Sequence, residues 1–207
     1  KAISHRMRII LASQSPRRKK LLTQLGLQFE VVPGSVDEST SETDPIKLVE
    51  ELALRKATDI AQNYPNSLII GADTIVVYNG KTLGKPESKA EASKMLNDLS
   101  EAQHQVHTGV VLLLTDDLST VSKTISFTEM TNVYFSKLDQ QEIDFYISTG
   151  SPMDKAGSYG IQDDWGATFV QKIEGDFYNV VGLPINKLYY QLKMHFPDII
   201  DQRITQS

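Results

Sequence analysis

Residues 8–25 read RIILASQSPRRKKLLTQL, and the reading of the fold starts there. Arg8–Ala12 is an apolar run of strand length. A polar turn follows, and then two helix-start signals: Ser15 at the N-cap and Pro16 in the first helical position. Arg17, Arg18, Lys19 and Lys20 crowd the first turn. That is the wrong end for cations, because a helix N-terminus already carries partial positive charge and free N–H groups. A bound anion offsets the cost, so the segment reads as a phosphate site. Arg17 and Arg18 are then expected to serve the ligand rather than the fold. The plain alternative for this segment alone is a solvated basic turn.

Working outward, Gln28–Val32 reads as a second strand and Val36–Thr43 as a polar, acidic loop. Asp44 and Pro45 open a helix to about Asn63, with Leu48, Leu52, Leu54 and Ile60 as its apolar set. Leu68–Tyr78 is a strand, and Asn79-Gly80 is a type I′ hairpin signal returning through Lys81–Leu83. Ser88 with Glu91, and Asp139 with Glu142, have capping-box spacing ahead of two further helices. Gln105–Thr115 and Val121–Phe135 are long strands paired through Asp116-Asp117, and a last helix runs from about Ile185 to Phe196. Helices alternating with strands, plus antiparallel hairpins, predict an α/β fold with a mixed sheet.

Composition narrows the function. The chain has 207 residues, 40% hydrophobic and 23% charged, the balance of an ordinary globular protein. It has no cysteine, so thiol nucleophiles, disulfides and Cys-ligated metals are excluded, which fits a reducing compartment. A net charge of −5 argues against broad nucleic-acid binding. No apolar run is long enough to span a bilayer; the run from Leu68 to Tyr78 is interrupted by Asp73. No secretory signal is evident. Lys1–Arg6, ahead of Met7, read as an expression remnant or an alternative start, and residues 7–207 as a single domain.

Three further segments carry chemistry. In LIIGADTIVVY, residues 68–78, Asp73 lies inside an apolar strand and needs a cation, a metal or hydrogen-bond donors to offset desolvation; taken alone, a structural Asp bonded to a loop backbone is the slightly favoured reading. Gly71 and Ala72 beside it are expected to leave room for a ligand. Lys85 follows the hairpin, whose return brings it back toward Asp73, a pairing that suits a metal–phosphate site. In SPMDKAGSYGIQ, residues 151–162, Asp154 and Lys155 sit beside glycines, and Gln162 offers donor and acceptor to a base edge. An irregular surface loop with a local ion pair is the alternative there. IEGDFYNVVGLP, residues 173–184, reads as packing and chain reversal. Lys56 on the helix after Asp44 offers a phosphate contact, though most helix lysines are only solvated; the acidic loop Val36-Asp37-Glu38 offers a metal ligand, though a solvated loop is the commoner outcome. Gly80-Lys81-Thr82 is not a P-loop, because Ile75 stands where its first glycine belongs and a hairpin surrounds it. His104 and His107, three apart on a strand, face opposite sides and make a poor metal pair.

Together these segments resemble a known family. Ala12-Ser13-Gln14-Ser15-Pro16-Arg17-Arg18, Gly71-Ala72-Asp73-Thr74, Gly84-Lys85-Pro86, Asp154-Lys155-Ala156-Gly157-Ser158-Tyr159-Gly160-Ile161-Gln162 and Val181-Gly182-Leu183-Pro184 look like the Maf (septum formation inhibitor-like) nucleotide pyrophosphatases, in order and spacing, from Met7 to about Phe196. The resemblance implies a long twisted mixed sheet with flanking helices and two lobes around a deep cleft, similar to the inosine triphosphate pyrophosphatases. It implies cleavage of a nucleoside triphosphate between the α- and β-phosphates with a divalent cation, Mg²⁺ or Mn²⁺. By motif position Asp73 matches the proton acceptor. Arg17, Thr74 and Gln162 match positions tied to substrate choice. Ser13, Arg18, Glu38, Lys56 and Lys85 match residues lining the phosphate and metal site. Within that match Asp73 and Lys85 are the expected catalytic pair, Glu38 and Asp73 the metal ligands, and Asp154 and Lys155 additional substrate contacts. The pattern looks like the dTTP/UTP branch, with Asp163-Asp164-Trp165 a departure after Gln162. A cytoplasmic enzyme, and a homodimer, is what the resemblance suggests. Two rival classes are a non-catalytic nucleotide sensor in cell division and a nucleic-acid-binding regulator; the acidic balance speaks against the second.

Overall fold

The computed structural model describes residues 7–162 and 165–204. Lys1–Arg6, and Asp163-Asp164 of the departure after Gln162, lie outside the described residues. Strand β1 (Arg8–Ala12) leads into helix α1 (Pro16–Gln24), where Ser15 Oγ accepts the Arg18 N–H at 3.3 Å. β2 is only Glu30–Val31, an edge strand paired through two residues, shorter than the predicted Gln28–Val32. Helix α2 (Pro45–Ala61) is capped by Asp44, whose Oδ1 accepts the N–H groups of Ile46 and Lys47. β3 (Ser67–Tyr78) turns through Asn79 and Gly80, both at positive φ (49° and 72°), into β4 (Lys81–Leu83), as a type I′ turn requires.

Helix α3 (Lys89–Leu99) begins at Ser88, whose hydroxyl accepts the Glu91 N–H at 3.1 Å. The Glu91 carboxylate accepts from Glu87 N–H, one residue before the position that would complete a capping box. β5 (Gln103–Thr115) and β6 (Val121–Phe135) form the long hairpin. α4 (Gln140–Ser148) has the full box of Asp139 and Glu142. Short 3₁₀ segments at Ser151–Asp154, Ala156–Ser158 and Trp165–Phe169 lead to β7 (Val170–Glu174) and α5 (Phe177–Val181). The predicted last helix is α6 (Ile185–His195), and a further helix, α7 (Pro197–Ile204), follows it after a break at Phe196.

Among the described residues seven strands form one sheet in the order β2-β1-β3-β5-β6-β7, with β4 on β3. β1 runs parallel to β2 and β3, and the remaining pairs are antiparallel. This is the expected mixed sheet. Side chains alternate across it. On one face Leu68, Ile70 and Ala72 of β3 pack with α1, α6 and α7 through Leu21, Leu22, Leu188, Leu192 and Ile199. Farther along the same face Val76 packs with α3 and α4 through Leu96, Leu99, Ile143 and Tyr146. The polar residues Thr74, Thr108 and Asn179 lie between these two clusters, so one sheet carries two lobes.

α2 covers the opposite face, packing Ala53, Ala57, Ile60 and Ala61 on Ile10, Ile69, Val111 and Leu113. It lies directly on strand backbone. A Cβ at Gly71 would sit 2.4 Å from the Ala53 carbonyl oxygen, and one at Gly109 would sit 2.6 Å from that of Val49. Gly71 therefore makes room for a helix, not for a ligand as expected from sequence. Leu54, counted in the apolar set, is 42% exposed on the outer side of α2.

Candidate functional site

The sheet has a break in one edge. β1 pairs with β3 as far as Gly71, and β4 pairs with β3 only from Val76 onward. Between these limits Ala72–Ile75 face a gap into which the chain after Ala12 turns toward α1. A cleft of about 1190 Å³ opens there. Every site residue predicted from sequence lines it: Ser13, Arg17, Arg18, Glu38, Lys56, Asp73, Thr74, Lys85, Asp154, Lys155 and Gln162.

Asp73 shares the α2 face with Gly71, and α2 presents Lys56 to it. Lys56 Nζ is 2.5 Å from Asp73 Oδ1 and 2.9 Å from Glu38 Oε1, so one ammonium joins two carboxylates. The Asp73 side chain is 10% exposed and that of Glu38 53%. Desolvation acts to raise the Glu38 pKa. The hydrogen bond and charge of Lys56, with the charges of Lys85 and Arg18, outweigh it and hold the carboxyl below its ordinary value.

Thr74 points to the other face, toward α1. Arg18 Nη2 donates to Thr74 Oγ1 at 3.0 Å, Nε to the Gly182 carbonyl at 2.8 Å, and Nη1 to Ser13 Oγ at 3.4 Å. Thr74 Oγ1 is 2.9 Å from Thr108 Oγ1, which donates to the Asn179 carbonyl at 3.2 Å. Arg18 thus ties α1, β3 and the 179–182 turn, a structural duty that the charge argument from sequence did not foresee. Burial works against its charge and Asp73 favours it. Arg17 Nη1 reaches across the cleft to Asp154 Oδ2 at 3.0 Å. Lys155 is turned back on its own loop, with Nζ within 3.0 Å of Ser151 O, Ser151 Oγ and Asp154 Oδ1. Gln162 Oε1 is buried, with no hydrogen-bond partner among the described residues.

The sequence profile of the Maf-like protein family matches residues 8–195. The chain belongs to this family. A dTTP/UTP pyrophosphatase of Bacillus anthracis is 47% identical over 193 residues, covering 93% of this chain and 97% of that one. One from Bacillus cereus is 48% identical, covering 93% of this chain and 92% of that one. One from Bacillus mycoides is 47% identical, with coverages of 93% and 97%. Among solved structures, the Staphylococcus aureus Ham1 protein matches with a TM-score of 0.45 at 19% identity, over 62% of this chain and 71% of that one. At that level the likeness adds nothing to the strand order already described.

The donor set of this Maf-like protein suits a divalent cation. Among the described residues no three His, Asp or Glu side chains cluster as a metal site. Glu38 and Asp73 do converge, on Lys56 Nζ. Two carboxylates are hard oxygen donors of the kind that could hold a divalent cation. The Maf-like cleft also rests on residues that sequence reasoning passed over. Asn179, fully buried in the segment read as packing, holds its backbone carbonyl under Thr108 while its Nδ2 donates to the Val106 carbonyl and Thr131 Oγ1. An amide amid FYNVV was the signal. Tyr146 OH accepts the Gly160 N–H at 3.0 Å, and Tyr159 OH shares a 2.7 Å hydrogen bond with His104 Nε2. These two tyrosines anchor the loop that ends in Gln162. His104 and His107 point to opposite faces, as their spacing requires; His107 Nε2 meets Gln105 Oε1.

Proposed function

We propose that this chain is a nucleoside triphosphate pyrophosphatase that hydrolyses dTTP and UTP to the monophosphate and pyrophosphate, with a divalent cation at Glu38 and Asp73. The observation that carries the reading is a nearly buried carboxylate, Asp73, set in a cleft where Arg18, Lys56 and Lys85 supply positive charge. The name shared by the Bacillus relatives supplies the substrate.

The triphosphate lies along the N-terminus of α1, with Arg18, Ser13 and Lys85 directed to its oxygens. Asp73 accepts a proton from water as the water oxygen attacks the α-phosphorus. The bond from that phosphorus to the α–β bridging oxygen breaks, and pyrophosphate leaves with the electron pair. Lys85 and Arg18 offset the charge that builds on it. When bound, a divalent cation supplies further positive charge to the phosphate oxygens. Gln162 Oε1 is the acceptor for a pyrimidine N3–H, and the Gln162 amide donates to an adjacent carbonyl. A cytoplasmic setting and a homodimer belong to the same reading, carried by family likeness alone. Separation of the products from dTTP by anion exchange tests it. Equal amounts of dTMP and pyrophosphate are expected, whereas dTDP with inorganic phosphate would move cleavage to the other anhydride bond.

A further inference from the structure

Glu38 sits in a stretch, residues 32–44, with no helix or strand to fix it. Its backbone is nevertheless gripped. Arg55 Nη1 donates to the Asp37 carbonyl at 2.9 Å and to the Ser39 carbonyl at 2.8 Å, the carbonyls of the residues on either side of Glu38. Arg55 Nη2 is bonded to Glu51, one turn back on α2. The other Glu51 oxygen accepts from Thr40 Oγ1 at 3.1 Å. Asp37 closes the turn by accepting the Ser39 N–H at 2.8 Å and its hydroxyl at 2.6 Å.

We infer that Arg55 is a positioning residue for the reaction: by holding the carbonyls on both sides of Glu38, it keeps the Glu38 carboxylate aimed at Lys56 and Asp73. Arg55 and Lys56 are consecutive on α2, about 100° apart around the helix. One grips the loop by its backbone and the other meets its carboxylate in the cleft. The arrangement needs a guanidinium. Its Nη1 and Nη2 together serve three acceptors on two segments, which the flexible point charge of a lysine cannot reproduce together. The Glu38 side chain is 53% exposed, so without the grip it turns to solvent. The inference rests on the pyrophosphatase reading, in which Glu38 serves the phosphate and metal site.

A double-mutant cycle tests it. Pyrophosphate release from dTTP is measured for the unmutated protein, Arg55→Ala, Glu38→Gln and the double variant. Hydrogen exchange of residues 36–43 is followed in parallel. Arg55→Ala is expected to lower kcat/KM by about 10- to 100-fold, as loss of a ligand-orienting partner does. In the Glu38→Gln background it is expected to change nothing further. Arg55→Lys should recover part of the loss, and loop exchange should quicken in Arg55→Ala with little change in melting temperature. Losses that multiply in the double variant, or unchanged loop exchange, would overturn the inference. Should Arg55→Ala fail to fold, Arg55→Gln carries the same expectations. An unmutated protein that releases no pyrophosphate would overturn the function, while loop exchange would still decide the role of Arg55.

Discussion

In the proposed reaction Asp73 is the residue on which the chemistry turns. Asp73→Asn keeps the size and removes the charge that accepts a proton, so pyrophosphate release from dTTP is expected to fall by about 10²- to 10⁴-fold in a protein that still folds. Steady-state turnover checks this, and near-normal rates would remove Asp73 from the mechanism. Arg18 carries a double load. Arg18→Ala strands the Gly182 carbonyl and leaves Thr74 Oγ1 with Thr108 alone, so melting temperature should fall by the equivalent of about 1–3 kcal/mol while KM for dTTP rises. A scan and a saturation curve on one preparation separate the two effects. These residues differ in how legible they were. Asp73 stood out as a charge inside an apolar strand. The partners of Arg18 did not, because its contacts reach 56 and 164 positions along the chain. Lys56 was legible as a helix lysine, but that its ammonium joins Asp73 to Glu38 depends on how α2 lies on β3.

At the scale of elements, local signals fixed the starts. Ser15-Pro16, Asp44-Pro45, Asn79-Gly80 and Asp139 each act within a few residues, and each forms the cap or turn its sequence specifies. Ends and packing were less legible. Phe196 and Pro197 divide what read as the chain's last helix from a second one, and β2 keeps only two paired residues because one neighbouring strand supports it. Gly71 shows why: a glycine before GADT's carboxylate invites a ligand reading, yet the space is filled by Ala53 and Ala57. Gly71→Ala therefore places a methyl group 2.4 Å from a backbone oxygen and pushes α2 off the sheet. The expected cost is about 1–3 kcal/mol in urea unfolding, with a loss of activity because α2 carries Lys56. Unchanged stability would show that α2 can shift without cost.

For the whole molecule, the two lobes and the break in the sheet edge between β1 and β4 decide where the cleft opens, and no short motif encodes that break. Acid sensitivity is also a property of the whole fold. Burial pushes His104 down to about 4 from an ordinary 6.5, so between these values the unfolded chain binds a proton that the native state refuses. Stability then falls as pH falls through that window, by about 3 kcal/mol for this group at the acid end. His107, also lowered by burial, adds to the same slope. Urea titrations across the window should show a shallower slope in His104→Gln; an identical slope would remove His104 from the acid response. The central claim is base-selective cleavage in the cleft, and one measurement tests it most directly: kcat/KM for pyrophosphate release from dTTP, UTP, dATP and dGTP, with Gln162→Ala alongside. The unmutated protein is expected to prefer the two pyrimidine substrates. Gln162→Ala should narrow the gap by about tenfold, since the base then leaves polar groups unmatched. Equal kcat/KM across all four nucleotides in the unmutated protein would contradict the account.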